Sequence, residues 1–201
     1  MKDLILYAHP NPKSFNAAIL STTREVLESN GHQVTIRDLY TINFNPVLKR
    51  TDFELFQAGK NPADIEEEHN LIKQADLIIM LYPIWWTGIP AILKGYLDRV
   101  FSYGFAYKYS DEGDPMGLLT GKKGLIINTQ GTPSEYYDSS GMTEAMKKTS
   151  DTGILGFCGI ESIGHIFFGA VPSVDDATRK GMLEKLKTQL NEINGKLLAR
   201  V

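Results

Sequence analysis

Apolar positions along this chain follow two different rhythms. Leu4-Ile5-Leu6-Tyr7-Ala8, Leu77-Ile78-Ile79-Met80-Leu81-Tyr82 and Leu125-Ile126-Ile127 are unbroken apolar runs, the mark of strands buried on both faces. Val34 and Ile36 alternate with Gln33, Thr35 and Arg37, which predicts a strand with one face in solvent, as at a sheet edge. Ile160 to Phe168 supplies a last strand. Between these runs the period becomes helical. Ile19, Thr23, Val26, Leu27 and Asn30 form a stripe that Ser14 can cap and Gly31 ends. A short helix is expected from Thr51 to Gly59, capped by Thr51 or Asp52, and another from Pro62 to about Gln74. Pro90 opens a helix in which Ile89, Ile92, Leu93, Tyr96, Leu97, Val100 and Phe101 recur on one side. Met142 to about Gly153 is expected to be helical. Asp175 or Asp176 starts a final helix with Met182, Leu183, Leu186, Leu190, Ile193 and Leu197 inward.

Five strands alternating with helices predict an α/β fold, a doubly wound parallel sheet in one domain over residues 1–201. Segments without either rhythm are expected to be loops, among them Asp38 to Arg50, Ser102 to Gly121 and Gln130 to Gly141. Gly113, Pro115, Gly117, Gly121 and Gly124 mark the stretch from Ser110 to Gly124 as a mobile flap.

Composition narrows the class of function. The 201 residues carry a net charge of -3 with no basic run, which argues against a nucleic-acid surface. Cys158 is the only cysteine. It allows no internal disulfide and reads as a small buried hydrophobe. His9, His32, His69 and His165 are scattered, so no metal site is expected. The N-terminus shows no signal-peptide pattern, and Pro83 cuts the longest apolar run far short of a bilayer span. A cytoplasmic protein, not embedded in a membrane, is the expectation.

Three loops then carry the candidate chemistry. In the strand order 2-1-3-4-5, the loops after the first, third and fourth strands are neighbours at the switch point where such sheets bind ligands. In the first loop, His9-Pro10-Asn11-Pro12-Lys13 leads to Ser14, Phe15 and Asn16. A helix start there can attract a phosphate, with Ser14 and Asn16 as neutral donors and His9 and Lys13 as positive charges. Ser14 can equally be a plain cap, and His9 a hydrogen-bonded loop residue. No Gly-x-Gly-x-x-Gly or Gly-x-x-x-x-Gly-Lys-Ser/Thr pattern is present. The second loop, Pro83-Ile84-Trp85-Trp86-Thr87-Gly88, brings two flat side chains to the same edge, unless both tryptophans are simply core. The third brings Asn128-Thr129-Gln130-Gly131 and then Tyr136-Tyr137. A phosphate site beside a flat pocket with amides and hydroxyls suits a flavin, and a nucleotide also.

With these loops in view, the chain resembles the NAD(P)H:quinone oxidoreductases of the DT-diaphorase type, flavodoxin-like enzymes that use FAD. The resemblance runs through Ala8-His9 with Ser14-Phe15-Asn16, Asp38-Leu39-Tyr40, Asn43-Phe44-Asn45-Pro46 and Ala75-Asp76-Leu77. Pro83 with Trp86-x-Gly88-x-Pro90-Ala91-Ile92-Leu93-Lys94-Gly95 is its most specific piece. Phe105-Ala106-Tyr107-x-Tyr109 and Phe157-Cys158-Gly159 complete it. It implies that His9, Ser14, Phe15 and Asn16 hold the flavin's phosphates and ribose region. Pro83, Ile84, Trp85, Trp86 and Thr87 then lie along its ring, and Thr129, Gln130 and Gly131 at its pyrimidine edge, beside Asn128 of the same loop. It implies further that Tyr136 or Tyr137 hydrogen-bonds the reduced cofactor, and that Arg179 meets the adenine end, favouring FAD over FMN. Tyr107, Tyr109 and Phe157 match walls of a substrate pocket shared across a homodimer, for whose interface the helix from Pro90 to Phe101 and the loop after it are expected.

The chain also departs from the family. Asp138-Ser139-Ser140-Gly141-Met142-Thr143 lacks the histidine that the animal enzymes carry after the tyrosine as a relay partner. Thr87 replaces a large aromatic and Trp85 an amide. The stretch between Arg50 and Pro62 is shorter, and the C-terminal extension is missing. The reaction implied is hydride transfer from NAD(P)H to flavin N5, release of NAD(P)+, and transfer to a quinone in the same pocket. Azo or nitro compounds are alternative acceptors. A flavodoxin-type electron carrier and a flavin-binding regulatory subunit of a membrane transporter are the rival readings.

Overall fold

The computed structural model describes residues 1–198. In chain order it runs β1 Lys2–Tyr7, α1 Phe15–Ser29, β2 Gln33–Asp38, α2 Arg50–Gln57, α3 Ala63–Gln74, β3 Leu77–Pro83 and α4 Ala91–Val100. Then come β4 Tyr107–Tyr109, β5 Pro115–Gly117, β6 Lys123–Thr129, α5 Ser134–Ser139 and α6 Met142–Lys147. A π-helical segment Lys148–Leu155 and a short turn Gly156–Cys158 lead to β7 Glu161–Phe168 and α7 Asp176–Leu198.

The main sheet has five strands in the order β2-β1-β3-β6-β7, and every neighbouring pair in it is parallel. This is the doubly wound order 2-1-3-4-5 expected above. Side chains alternate between the two faces of a strand, so each apolar run feeds two cores. Leu4, Leu6, Ile78, Met80, Tyr82 and Ile126 pack on one face against Ile65 and Ile72 of α3 and Leu93, Tyr96 and Val100 of α4. Ile5, Tyr7, Ile79, Leu81, Leu125 and Ile127 pack on the other against Ile19, Val26 and Leu27 of α1 and Leu186 and Leu190 of α7. The chain therefore leaves β1 toward one face and β3 toward the other. That divergence opens a crevice between their carboxyl ends.

Three expectations about local structure need correction. Helix α2 begins one residue early, with Lys49 in the cap position. Asp52 is not its cap but its third residue, accepting from the Lys49 N–H at 3.1 Å while the buried Arg99 Nε grips it at 2.9 Å. The tertiary ion pair overrides the local capping preference. The expected loop from Ser102 to Gly121 contains an antiparallel hairpin, β4 with β5, and its base is fastened. Leu118 N–H donates to Ala106 O and Leu119 N–H to Cys158 O, both at 2.9 Å. At Gly117 a Cβ would stand 2.2 Å from Gly159 N, so glycine serves close packing there. Finally, the loop from Gln130 to Gly141 contains α5, and the helix after it widens into the π-helical segment from Lys148.

Candidate functional site

The first loop is built by local hydrogen bonds. His9 Nδ1 accepts the Asn11 N–H at 3.0 Å, and Asn11 Oδ1 accepts the Lys13 N–H at 2.9 Å. Ser14 caps α1, its Oγ accepting from Ala17 N–H at 3.2 Å. The first turn of α1 holds no acidic residue, so its positive end is left uncompensated and open to an anion. Burial lowers the His9 pKa. With Asn11 on Nδ1, the neutral ring carries its proton on Nε2. Of the two readings open for His9, the structure favours the hydrogen-bonded loop residue, leaving Lys13 as the positive charge beside it. Phe15 points to the core and meets Phe168 edge-on at 6.3 Å. Asn16 is 3% exposed and donates through Nδ2 to Thr129 Oγ1 at 2.6 Å.

The second loop leaves β3 at the buried Pro83 and docks at once, with the Ile84 N–H on Thr129 O at 2.8 Å. Trp85 and Gly88 exchange two backbone hydrogen bonds, Trp85 N–H to Gly88 O at 3.2 Å and Gly88 N–H to Trp85 O at 3.0 Å. The two residues between them make a tight turn with φ of 51° at Trp86 and 57° at Thr87. Such a turn favours Asn-Gly. A bulky and a β-branched residue there hold left-handed backbone at a cost of about 1–3 kcal/mol each. The turn is also not a core element: Trp86 is 100% exposed and Trp85 42%, with the Trp85 ring 6.1 Å from His9.

The third loop is clamped from three sides. Thr129 meets Asn16, and Gln130 N–H donates to Phe168 O at 2.9 Å. That amide is therefore engaged rather than free for a ligand. Gln130 Nε2 donates to Thr132 O, and Val171 N–H to Gln130 O, both at 3.1 Å. Asn128 is buried and donates to Tyr82 O. Gly131 lies open, its nearest neighbour Pro172. Tyr136 and Tyr137 sit on α5 with ring centroids 6.3 Å apart, Tyr136 exposed and Tyr137 half-buried. Arg179 holds Val171 O at 2.8 Å and pairs with Asp176 at 3.0 Å.

The structure thus gathers the three expected loops at one sheet edge, and a fourth, from Gly169 to Val174, joins them. Sequence reasoning missed this fourth loop and Tyr7, whose hydroxyl is 3.5 Å from Ser14 Oγ. Its signal was available: Gly169-Ala170 follows the last strand at the same edge. Tyr107, Tyr109 and Phe157 form a separate group. Tyr107 meets Phe157 at 5.0 Å and Tyr109 at 6.0 Å. A larger cavity, about 580 Å³, lies among His69, Lys73, Tyr103, Phe105 and Lys122. It sits away from these loops, and its Lys122 Nζ is spent on Lys73 O and Ala75 O.

Two buried oxygens at the edge have no hydrogen-bond partner among the described residues, Asn16 Oδ1 and Gln130 Oε1. Orphaned acceptors of this kind are costly and ask for N–H donors from a ligand. With an uncompensated helix start, Lys13 and an exposed tryptophan turn, they fit a flavin with its phosphate tail. No group of three His, Cys, Asp or Glu side chains able to hold a metal is found among the described residues.

Comparison with known proteins agrees with this geometry. A family model described as a flavodoxin-like fold matches residues 1–190. The chain is 43% identical to an uncharacterized NAD(P)H oxidoreductase of Haemophilus influenzae, over 92% of this chain and 91% of that one. It is 36% identical to the ribosyldihydronicotinamide dehydrogenase [quinone] of Mus musculus, over 96% and 91%. An NAD(P)H:quinone oxidoreductase from Methanothermobacter marburgensis superposes with a TM-score of 0.86 at 30% identity, covering 96% of this chain and 97% of that one.

Proposed function

Because the chain belongs to the flavodoxin-like NAD(P)H:quinone oxidoreductase family, we propose that it is a flavoenzyme that reduces quinones with NAD(P)H. The observation that carries this reading is the pair of orphaned acceptors, Asn16 Oδ1 and Gln130 Oε1, set beside the open start of α1. The chemistry a bound flavin supplies is two-electron transfer from NAD(P)H to a quinone, in a substituted-enzyme cycle.

This chain's residues supply position and charge. Lys13, Ser14 and the first turn of α1 hold the phosphate, with the Nε2–H of His9 as a neutral donor. Asn16 and Gln130 accept N–H groups at the polar edge of the ring system, and Thr129 keeps Asn16 aimed. Trp85, Trp86 and Thr87 would line the face of a bound flavin that nicotinamide and quinone reach. The hydroxyl of Tyr136 or Tyr137 would donate a hydrogen bond at the polar edge of a bound flavin, as an oxyanion donor does. Arg179, at the fourth loop, argues for FAD, with FMN the alternative. Tyr107, Tyr109 and Phe157, which pack on one another, complete the pocket of a second copy in a homodimer. No helix among the described residues is long and apolar enough to cross a membrane.

The test is the visible spectrum of the purified protein, release and chromatography of its cofactor, and NADH and NADPH oxidation with menadione. A yellow protein, FAD on release and quinone-dependent turnover are expected. A protein that stays colourless after reconstitution and oxidises neither nucleotide sinks the reading.

A further inference from the structure

Below the second and third loops lies a chain of buried polar groups that the function above leaves unused. His165 stands on β7 with its side chain 3% exposed, and the Phe167 ring stacks on it at 3.9 Å. Its Nδ1 faces Asp151 Oδ2 at 3.0 Å, and its Nε2 faces Asn128 Oδ1 at 2.6 Å. The Asn128 amide is fixed from its other side, where Nδ2 donates to Tyr82 O at 3.1 Å. Turned over, it would set oxygen against oxygen. The Nε2 contact therefore needs an N–H, and the Asp151 carboxylate asks for an N–H on Nδ1. Both contacts are complete when the ring carries two protons, with Asp151 as its counter-charge. Asp151 comes from the π-helical segment, and widened turns of that kind are rare and gather at functional sites. Tyr82, from β3, is the other titratable group at the cluster; burial pushes its hydroxyl up to about 12.

The far end of the chain reaches the site. Asn128, Tyr82 and Ser150 line a cavity of about 20 Å³ that Thr87 and Gly88 of the strained turn also line. Tyr82 and Asn128 are register partners, one residue before Pro83 and Thr129, where the second and third loops begin.

We propose that Asp151, His165 and Asn128 form a positioning chain for the candidate flavin site, with a proton on both ring nitrogens of His165. The doubly protonated ring, gripped by Asp151, locks the Asn128 amide. Asn128 in turn ties the ends of β3 and β6 where the flavin loops leave them. The chain carries no atom of the reaction and acts through loop geometry. It deepens the proposed function and rests on it for the identity of the ligand.

The experiment uses flavin-free, 15N-labelled protein at neutral pH. Imidazole correlation spectra, with His165 assigned from His165→Asn, are expected to show both of its ring nitrogens protonated, and one bare in Asp151→Asn. Amide signals of Thr87, Gly88, Thr129 and Gln130 move in both variants. Titration with FAD and with FMN is expected to give a Kd about tenfold weaker in both variants, the loss of one charge-assisted hydrogen bond. A singly protonated His165 in the parent overturns the proposal. So do unchanged loop signals, or a lower melting temperature with unchanged flavin affinity, which marks a merely structural pair. Should the parent bind no flavin, the functional reading fails, while the ring protons and loop amides still decide the chain.

Discussion

Trp86 and Thr87 show at the scale of the residue how chemistry and backbone can conflict. Both hold positive φ, and neither residue type favours it. Thr87→Gly removes the clash of a β-branched side chain at φ of 57°, and is expected to stabilise the protein by about 1 kcal/mol, a rise in Tm of about 2–4 °C. A fall in Tm in a thermal melt would show that the turn is not strained. Asn16 presents the opposite case, a buried polar group half satisfied within the chain. Asn16→Ala strips Thr129 of its 2.6 Å partner and is expected to cost about 1–3 kcal/mol in urea unfolding. It should also weaken flavin binding, since the orphaned Oδ1 goes with it. The identities of Asn16 and Gln130 were legible in the sequence as loop amides. Their orphaned oxygens were not, because whether an amide is satisfied depends on groups more than a hundred residues away, as Asn16 and Thr129 are.

At the scale of the element, α4 carries a glycine that helix propensity alone would discourage. Gly95→Ala in an ordinary helix gains about 1 kcal/mol. Here the new Cβ would stand 2.1 Å from Pro46 O and 2.4 Å from Pro46 Cβ, backbone and ring atoms that cannot swing away. The sign should reverse to a net loss of about 1–3 kcal/mol, the usual cost of overpacking, read from the shift in urea midpoint. Elements with long apolar runs were placed closely from the sequence: β3 and β6 end where the apolar run meets Pro83 or the loop polar residues. Short elements were not. α2 starts at Arg50 with Lys49 as its cap while Arg99 holds Asp52 within its first turn, and β4 pairs β5 where Gly117 fits against Gly159. Neither partner is a sequence neighbour.

For the whole molecule, stability depends on pH through His69 and His9. His69 stacks on Phe105 at 3.5 Å and meets Val100 O at 2.8 Å. Burial lowers its pKa, as it does that of His9. Each group therefore binds its proton more readily in the unfolded chain. Their contribution is fully present above the unfolded histidine pKa of about 6.5, and is lost as pH falls from there toward the folded values. Asp52 adds to the slope further down. Burial would raise its pKa, but Arg99 and the Lys49 N–H outweigh burial and hold it below the ordinary value. Its contribution is present above the unfolded pKa of about 3.9 and is lost as pH falls through the folded one. Urea midpoints at pH 7.5, 6 and 5 should fall in that order. His69→Gln should flatten the first part of the slope; an unchanged slope would remove His69 as its source.

The sequence by itself determined the sheet, its strand order through family likeness, and which edge gathers the candidate loops. Those follow from hydrophobic period and from prolines and glycines at strand ends, which act over a few residues and leave a mark in the chain. Only the tertiary structure decided that Trp86 stands in solvent, that His9 Nδ1 accepts the Asn11 N–H, and that His165 lies between Asp151 and Asn128. Burial and hydrogen-bond partnership are properties of surroundings, and the surroundings are brought together from distant parts of the chain. A tryptophan or a histidine reads the same in sequence whether it ends at a site, in a core or beneath a loop.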